Sequence, residues 1–309
     1  MTERTKLVYQ DQQELYQHTS NLISINPVST LPEADRSLIK DPSEHDHVLI
    51  TDSTIFYVQG GGQPTDTGTI IPTSTSTSAT TSKSTEAPPK FKVHSVRHPS
   101  SGHQILHFGR FNPPTTSLTL TPGMEITQCI DVAQRTLHSR LHTAGHILGF
   151  AINALSKSGV LPPLTESKAS HYPDSAAVEF GGLIDGKFKG LIQEKTDEFV
   201  ASAAPICIHY WPLEEVKRRA TGAEDFALPE GEEMGRVVEM VGSECCPFLF
   251  FSFLFLDEDS NWRRRLQGRK LLGWIDTTRV LLTIFISQWE VTLVVEHMLL
   301  IAVWSARSK

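Results

Sequence analysis

The chain is poor in cysteine, in positive charge and in uninterrupted hydrophobic runs. Four cysteines in 309 residues exclude a disulfide-stapled scaffold. Lys and Arg number 28 against 35 Asp and Glu, a formal charge of −7, which excludes a protein that coats nucleic acid through bulk positive charge. MTERTKLVYQ at the start is polar, without the apolar core of a secretory signal. Phe248–Leu256 is too short to span a bilayer. Leu281–Trp304 is interrupted by Gln288, Glu290, Glu296 and His297, so no membrane partner is expected. The expected setting is soluble, reducing and cytoplasmic.

What is present suits a globular chain of about two domains: 39% apolar and 20% charged residues in 34.3 kDa. Residues 73–85, TSTSTSATTSKST, are almost entirely Ser and Thr, and Pro88-Pro89 follow. Such a segment has nothing to bury and predicts a disordered loop over about 71–90. It interrupts strand-like stretches at Val48–Val58, Phe91–Val96 and Gln104–Phe108, which predicts a β-rich domain over 1–125. From Asp131, a candidate N-cap, Leu137, Leu141, Ala144, Leu148, Ile152 and Leu155 recur every three or four residues, as on one helix face. A second helix is predicted over Lys187–Ala204, with Phe188, Leu191, Ile192, Phe199 and Val200 on its apolar side. Strands are predicted around Val178–Phe180, Ile206–Tyr210 and Val237–Val241, and a short helix over Leu213–Ala220. The fold class is therefore α+β. After residue 243 the composition breaks. Residues 261–309 hold eight basic and three acidic side chains, so the acidic excess lies before them.

Two motifs carry chemistry. His142-Thr-Ala-Gly-His146 lies within the predicted helix, and histidines four apart share one face and can converge on an ion. The spacing matches the metalloprotease HExxH, but Thr143 replaces the Glu that would act as general base. His138 lies one turn earlier on that face. The alternative is a solvated polar helix face. The second motif is Gly60-Gly61-Gly62-Gln63 after a strand, where glycines permit unusual backbone angles and close approach of a ligand. The alternative is an ordinary turn. No GKS or GKT follows, so it is not a Walker loop.

Taken together and in this order, TIFYVQGGGQPTDTG at 54–68, ITQCIDVAQRTLHSRLHTAGHIL at 126–148, SKASHYPDSAAVEF at 167–180 and GRVVEMVG at 235–242 resemble the freestanding alanyl-tRNA editing proteins. These share a domain with alanyl- and threonyl-tRNA synthetases. The resemblance runs from about residue 45 to 242. It implies a β-barrel-like domain carrying the glycine loop, then an α+β editing domain over 126–242, then an unrelated tail over 243–309. It implies metal-dependent hydrolysis of Ser or Gly wrongly attached to tRNA(Ala), with zinc held by His142 and His146 and by a later CxxxH. It also implies an acceptor-end partner and no DNA, contacts from Gly60, Gly61, Gly62 and Gln63 to tRNA, and a catalytic-site polar contact from Ser167 to the substrate amino acid. Arg135, Arg140, Lys187 and Lys189 would neutralise phosphates.

The CxxxH is missing. Cys245 and Cys246 are followed four residues on by Leu249 and Phe250, and the next His is His297. The expected metal set is then two histidines, too few for tight zinc, and feeble activity is expected. The alternative is an inactive protein that binds the tRNA acceptor end, or the product of a faulty gene model or splice. No separate ATP-binding activation domain is found, which argues against an aminoacylating synthetase.

Overall fold

The computed structural model describes residues 4–73, 90–114, 120–219, 226–228, 232–240, 248–251, 279–286 and 291–296, the last three by backbone alone. The chain divides into two compact units, Met1–His138 and Ser139–Lys309.

In the first unit the elements are β1 (Lys6–Leu7), β2 (Gln17–Pro27), the short helix α1 (Glu33–Arg36), β3 (His47–Thr51), β4 (Ser53–Thr54), β5 (Gly68–Pro72), β6 (Lys90–Arg97), β7 (Leu106–Asn112) and β8 (Glu125–Ile130). Six of them close into a barrel in the order β2-β3-β7-β6-β5-β8. Closure follows from alternation: Phe91 and Val93 of β6 point inward, with exposed Lys90, Lys92 and His94 between them. Leu22, Leu49, Phe56, Ile70, Phe111 and Ile126 fill the interior with them. β8 lies beyond the boundary expected at residue 125, and pairing with both β2 and β5 closes the barrel. Of the Ser/Thr-rich segment expected over 71–90, residues 74–89 lie outside the described residues. Its flanks are strand, since β5 reaches Pro72 and β6 begins at Lys90.

Polar groups inside this unit are consumed by structure. His107 Nδ1 donates to the Leu49 carbonyl at 3.1 Å, so Nε2 accepts from Thr54 Oγ1 at 2.8 Å. Gln128 Nε2 donates to Ser20 Oγ and the Ser53 carbonyl, and Oε1 accepts from the Ile55 N–H. Arg135 is 5% exposed and bonds Asp66, the Gln13 carbonyl and the Ile55 carbonyl. It is therefore spent on a buried ion pair, and the expectation that it neutralises phosphate is corrected. Arg140, Lys187 and Lys189 are exposed.

Helix α2 (Val132–Lys157) begins where Asp131 Oδ1 accepts from the Gln134 N–H at 3.0 Å, as the N-cap reading expects. The second unit continues with β9 (Thr165–Ser170), β10 (Ala177–Gly181), α3 (Lys189–Ala201), β11 (Ile206–Pro212), α4 (Leu213–Arg219), β12 (Met234–Met240), β13 (Phe248–Phe251), β14 (Arg279–Ile286) and β15 (Val291–Glu296). One sheet runs β15-β14-β10-β9 and another β11-β12-β13. Backbone segments of the tail thus pair with strands of this unit. Leu141, Ala144, Leu148 and Ile152 pack on Val178, Phe180, Ile184 and Ile192 to form its core. Leu137, expected on the same face, is 39% exposed, because the packed stretch of α2 begins at Leu141. On α3 the buried residues are Ile192 and Thr196, and Leu191 and Val200 flank that narrow stripe and stay exposed. Among the described residues, no helix is long and apolar enough to cross a membrane.

Candidate functional site

His142 and His146 lie on α2, and His171 follows directly after β9. One ligating atom from each lies within 4.8 Å of the others. The His142 ring stacks on His146 at 4.8 Å between centroids and on His171 at 4.4 Å. His142 and His146 are half-buried and His171 is buried. Desolvation, with Arg236 adding repulsion, pushes the His142 imidazole down to about 4. Desolvation and the neighbouring rings push His146 and His171 down as well. All three are therefore neutral near pH 7, the form that ligates metals.

Two observations test whether the three rings suit an ion. His171 Nδ1 is buried with no hydrogen-bond partner among the described residues, a costly state for a group that can accept or donate. Gly145 makes room for that ring: a Cβ there would lie 2.5 Å from His171 Cε1 and 2.9 Å from Nδ1. The donor set fits, since three protein ligands and one open position describe a catalytic zinc site.

The ligand count expected from sequence, two histidines, is thereby corrected to three candidates. His171 was missed because it is distant in sequence and reaches α2 only through the β9–β10 hairpin. A usable signal was there: a histidine inside SKASHYPDSAAVEF, and a glycine between the two helical histidines. His138 is buried, and its Nδ1 too has no described partner, yet no three-donor group among the described residues includes it. Burial depresses its imidazole, with Asp66 opposing and Arg135 adding to the effect. Cys245, Cys246 and His297 lie outside the described residues.

Ser167 sits at a bulge. Glu179 pairs with Lys168 and Phe180 pairs with Glu166, which leaves Ser167 as the extra residue of β9. Its hydroxyl donates to the Glu179 carbonyl at 3.2 Å.

The glycine loop is a tight turn. Gly60 N–H donates to the Gln63 carbonyl at 3.3 Å and Gln63 N–H to the Gly60 carbonyl at 3.0 Å. Gly61 and Gly62 have φ of 56° and 75°, the left-handed pair that glycine adopts without a Cβ clash. Sequence reasoning expects an exposed loop with free backbone donors. Instead Gly60 and Gln63 are buried, the amides of both close the turn, and only Gly61 and Gly62 are half-open.

Comparison with known proteins places the chain. No protein-family model matches it. It is 28% identical over 187 residues to the mitochondrial alanine–tRNA ligase of Drosophila melanogaster, covering 60% of this chain and 17% of the ligase. It is 27% identical over 201 residues to the alanine–tRNA ligase of Methanothrix thermoacetophila, covering 63% of this chain and 19% of that protein. It is 24% identical over 200 residues to the alanyl-tRNA editing protein AlaX-M of Methanosarcina barkeri, covering 64% of this chain and 73% of that protein. The match thus spans under a fifth of each ligase but most of the editing protein. By sequence the chain is a homologue of the freestanding alanyl-tRNA editing proteins and of a segment of the alanine–tRNA ligases.

Proposed function

We propose that this chain edits alanine tRNA in trans, hydrolysing the ester of Ser- or Gly-tRNA(Ala) with a zinc ion held by His142, His146 and His171. The observation that carries the reading is the cluster of three neutral imidazoles, with the His171 ring seated against Gly145 and its Nδ1 without a described partner. A zinc ion bound there supplies a Lewis acid that polarises the ester carbonyl and acidifies water. The chain's residues hold the rings neutral and fix their orientation through the packed stripe of α2. The expectation of feeble activity rests on two ligands, and a third candidate removes that premise. A site that bonds a serine hydroxyl discriminates against alanine, because alanine leaves buried polar groups unpaired. Ser167, the bulged residue of β9, is the candidate for that contact. In the barrel unit the half-open Gly61–Gly62 tip is the part of the glycine loop suited to backbone contact with tRNA. The test is deacylation of purified Ser-tRNA(Ala) and Ala-tRNA(Ala) by the 309-residue chain, with metal measured on the same sample. Near-stoichiometric zinc with faster hydrolysis of the seryl ester is the expected result. Zinc binding without hydrolysis supports the second reading, an inactive acceptor-end binder. Absence of both overturns the assignment.

A further inference from the structure

Helix α2 is notched twice along one stripe. His142 and His146 are four apart, as are Gly145 and Gly149, and each glycine lies three residues after one of the histidines, so the four share a face. Gly145 receives the His171 ring. Gly149 receives Glu166: a Cβ at Gly149 would lie 2.6 Å from Glu166 Oε2. The register explains how this carboxylate arrives. Glu166 pairs with Phe180, whose side chain is buried in the core against α2, so the bulge at Ser167 turns Glu166 toward the helix. Cβ positions three apart on a helix are about 5–6 Å apart, which sets the carboxylate one step beyond His146 along the stripe. It stands outside the three-histidine cluster.

Among the described residues nothing offsets its charge: no hydrogen bond or ion pair engages Glu166. As a residue of an edge strand it reaches solvent, yet the atoms crowding its carboxyl push the acid up to about 7. A cation arriving at this carboxylate restores its charged form and gains a charge-assisted hydrogen bond. Every aminoacyl ester carries such a cation on the carbon next to its reacting carbonyl.

We propose that Glu166 binds the α-ammonium group of the aminoacyl ester, so that the site selects esters with a free amine. This rests on the reading of the histidine cluster as an aminoacyl-ester hydrolase. It adds a specificity-determining carboxylate whose role can be tested apart from that reading.

The experiment compares Ser-tRNA(Ala) with N-acetyl-Ser-tRNA(Ala), which has the same ester and hydroxyl but no positive charge, using the zinc-loaded full chain and its Glu166→Gln variant. The wild-type chain is expected to favour the free amine in kcat/KM on the order of 10–100-fold, the range of one charge-assisted hydrogen bond. Glu166→Gln is expected to lose most of that preference by slowing the free-amine substrate alone, with zinc content unchanged. A parallel arm measures binding of a non-hydrolysable seryl amide of adenosine and its N-acetyl form by calorimetry. There the variant weakens only the free-amine ligand. Equal treatment of both esters by the wild-type chain overturns the proposal, as does a variant that slows both by one factor. If the wild-type chain hydrolyses neither ester, the hydrolase reading fails. The calorimetric preference for the free amine, or its absence, still decides the role of Glu166.

Discussion

In the barrel unit the buried His107 has both ring nitrogens bonded, to Thr54 and to the Leu49 carbonyl, whereas in the second unit His171 Nδ1 bonds no described group. Both rings are depressed by burial, so burial alone does not separate them. Partnership does. The barrel's polar interior is closed on itself: Gln128 bonds Ser20 of β2 and the Ser53 carbonyl of β4, and Arg135 is held by Asp66 and two carbonyls. Such groups secure the fold. The second unit gathers three rings against one another beside a notch that only glycine leaves open. A buried ligating atom without a described partner, beside two further imidazoles, is what a metal site looks like before its ion is considered. His138 Nδ1 also has no described partner, but among the described residues it has no such companions.

Four changes would break or sharpen this contrast. Asp66→Asn leaves the Arg135 guanidinium buried with its charge unmatched, and loss of one partner of a buried pair costs about 3–5 kcal/mol. Denaturant unfolding should show that loss, while zinc content of the folded protein stays unchanged. A drop in both would show that the two regions are not independent.

His171→Ala should weaken zinc binding by roughly 100- to 1000-fold, because four-ligand sites bind with about 10–16 kcal/mol, or about 3–4 kcal/mol per ligand. Competition with a chelator measures this. The metal-free variant should lose the packing of one buried ring, on the order of 1–3 kcal/mol, so affinity is compared on folded protein. Unchanged affinity would remove His171 from the site.

The pH dependence tests the barrel. Burial pushes His107 down to about 4, below its ordinary 6.5, with the Leu49 carbonyl opposing that shift. The unfolded state therefore binds the extra proton between pH 6.5 and about 4. The stability of the neutral folded ring is fully present above 6.5 and is lost as pH falls through that window, on the order of 3 kcal/mol in all. Urea midpoints of the parent and of His107→Gln, measured without metal from pH 7 to 4, should converge as pH falls. Parallel curves would show that His107 does not set the slope.

The smallest effect is expected from Gly145→Ala. The new methyl meets the His171 ring and forces it to shift, a strain typically of about 1–3 kcal/mol, read here as zinc affinity lowered by roughly tenfold. Affinity equal to the parent would mean that the notch does not seat the ring.

Much of the local architecture is legible in the chain. Alternation in β6 and the three-and-four spacing along α2 are properties of neighbouring residues, and the Asp131 cap is a contact of three residues. The HTAGH pair is legible for the same reason, because one helical turn brings its rings together whatever else folds. The glycine loop reads ambiguously, since three glycines permit both a ligand cradle and a tight turn. The reciprocal Gly60–Gln63 bonds decide for the turn, and Gln63 is buried with it.

What the sequence determined by itself, then, is what short-range periodicity and capping can encode: a strand-rich beginning, a long helix and two histidines on one of its faces. Only the tertiary structure decided that Arg135 is a buried strut, that His171 joins the pair, and that Glu166 turns toward Gly149 through a bulge. The physical reason is separation along the chain. Each of these contacts joins residues many positions apart, and whether such a side chain meets an ion, a carboxylate or solvent is set by which faces pack. Residue type and local spacing can mark a candidate, as the histidine after β9 does, but they do not fix that packing.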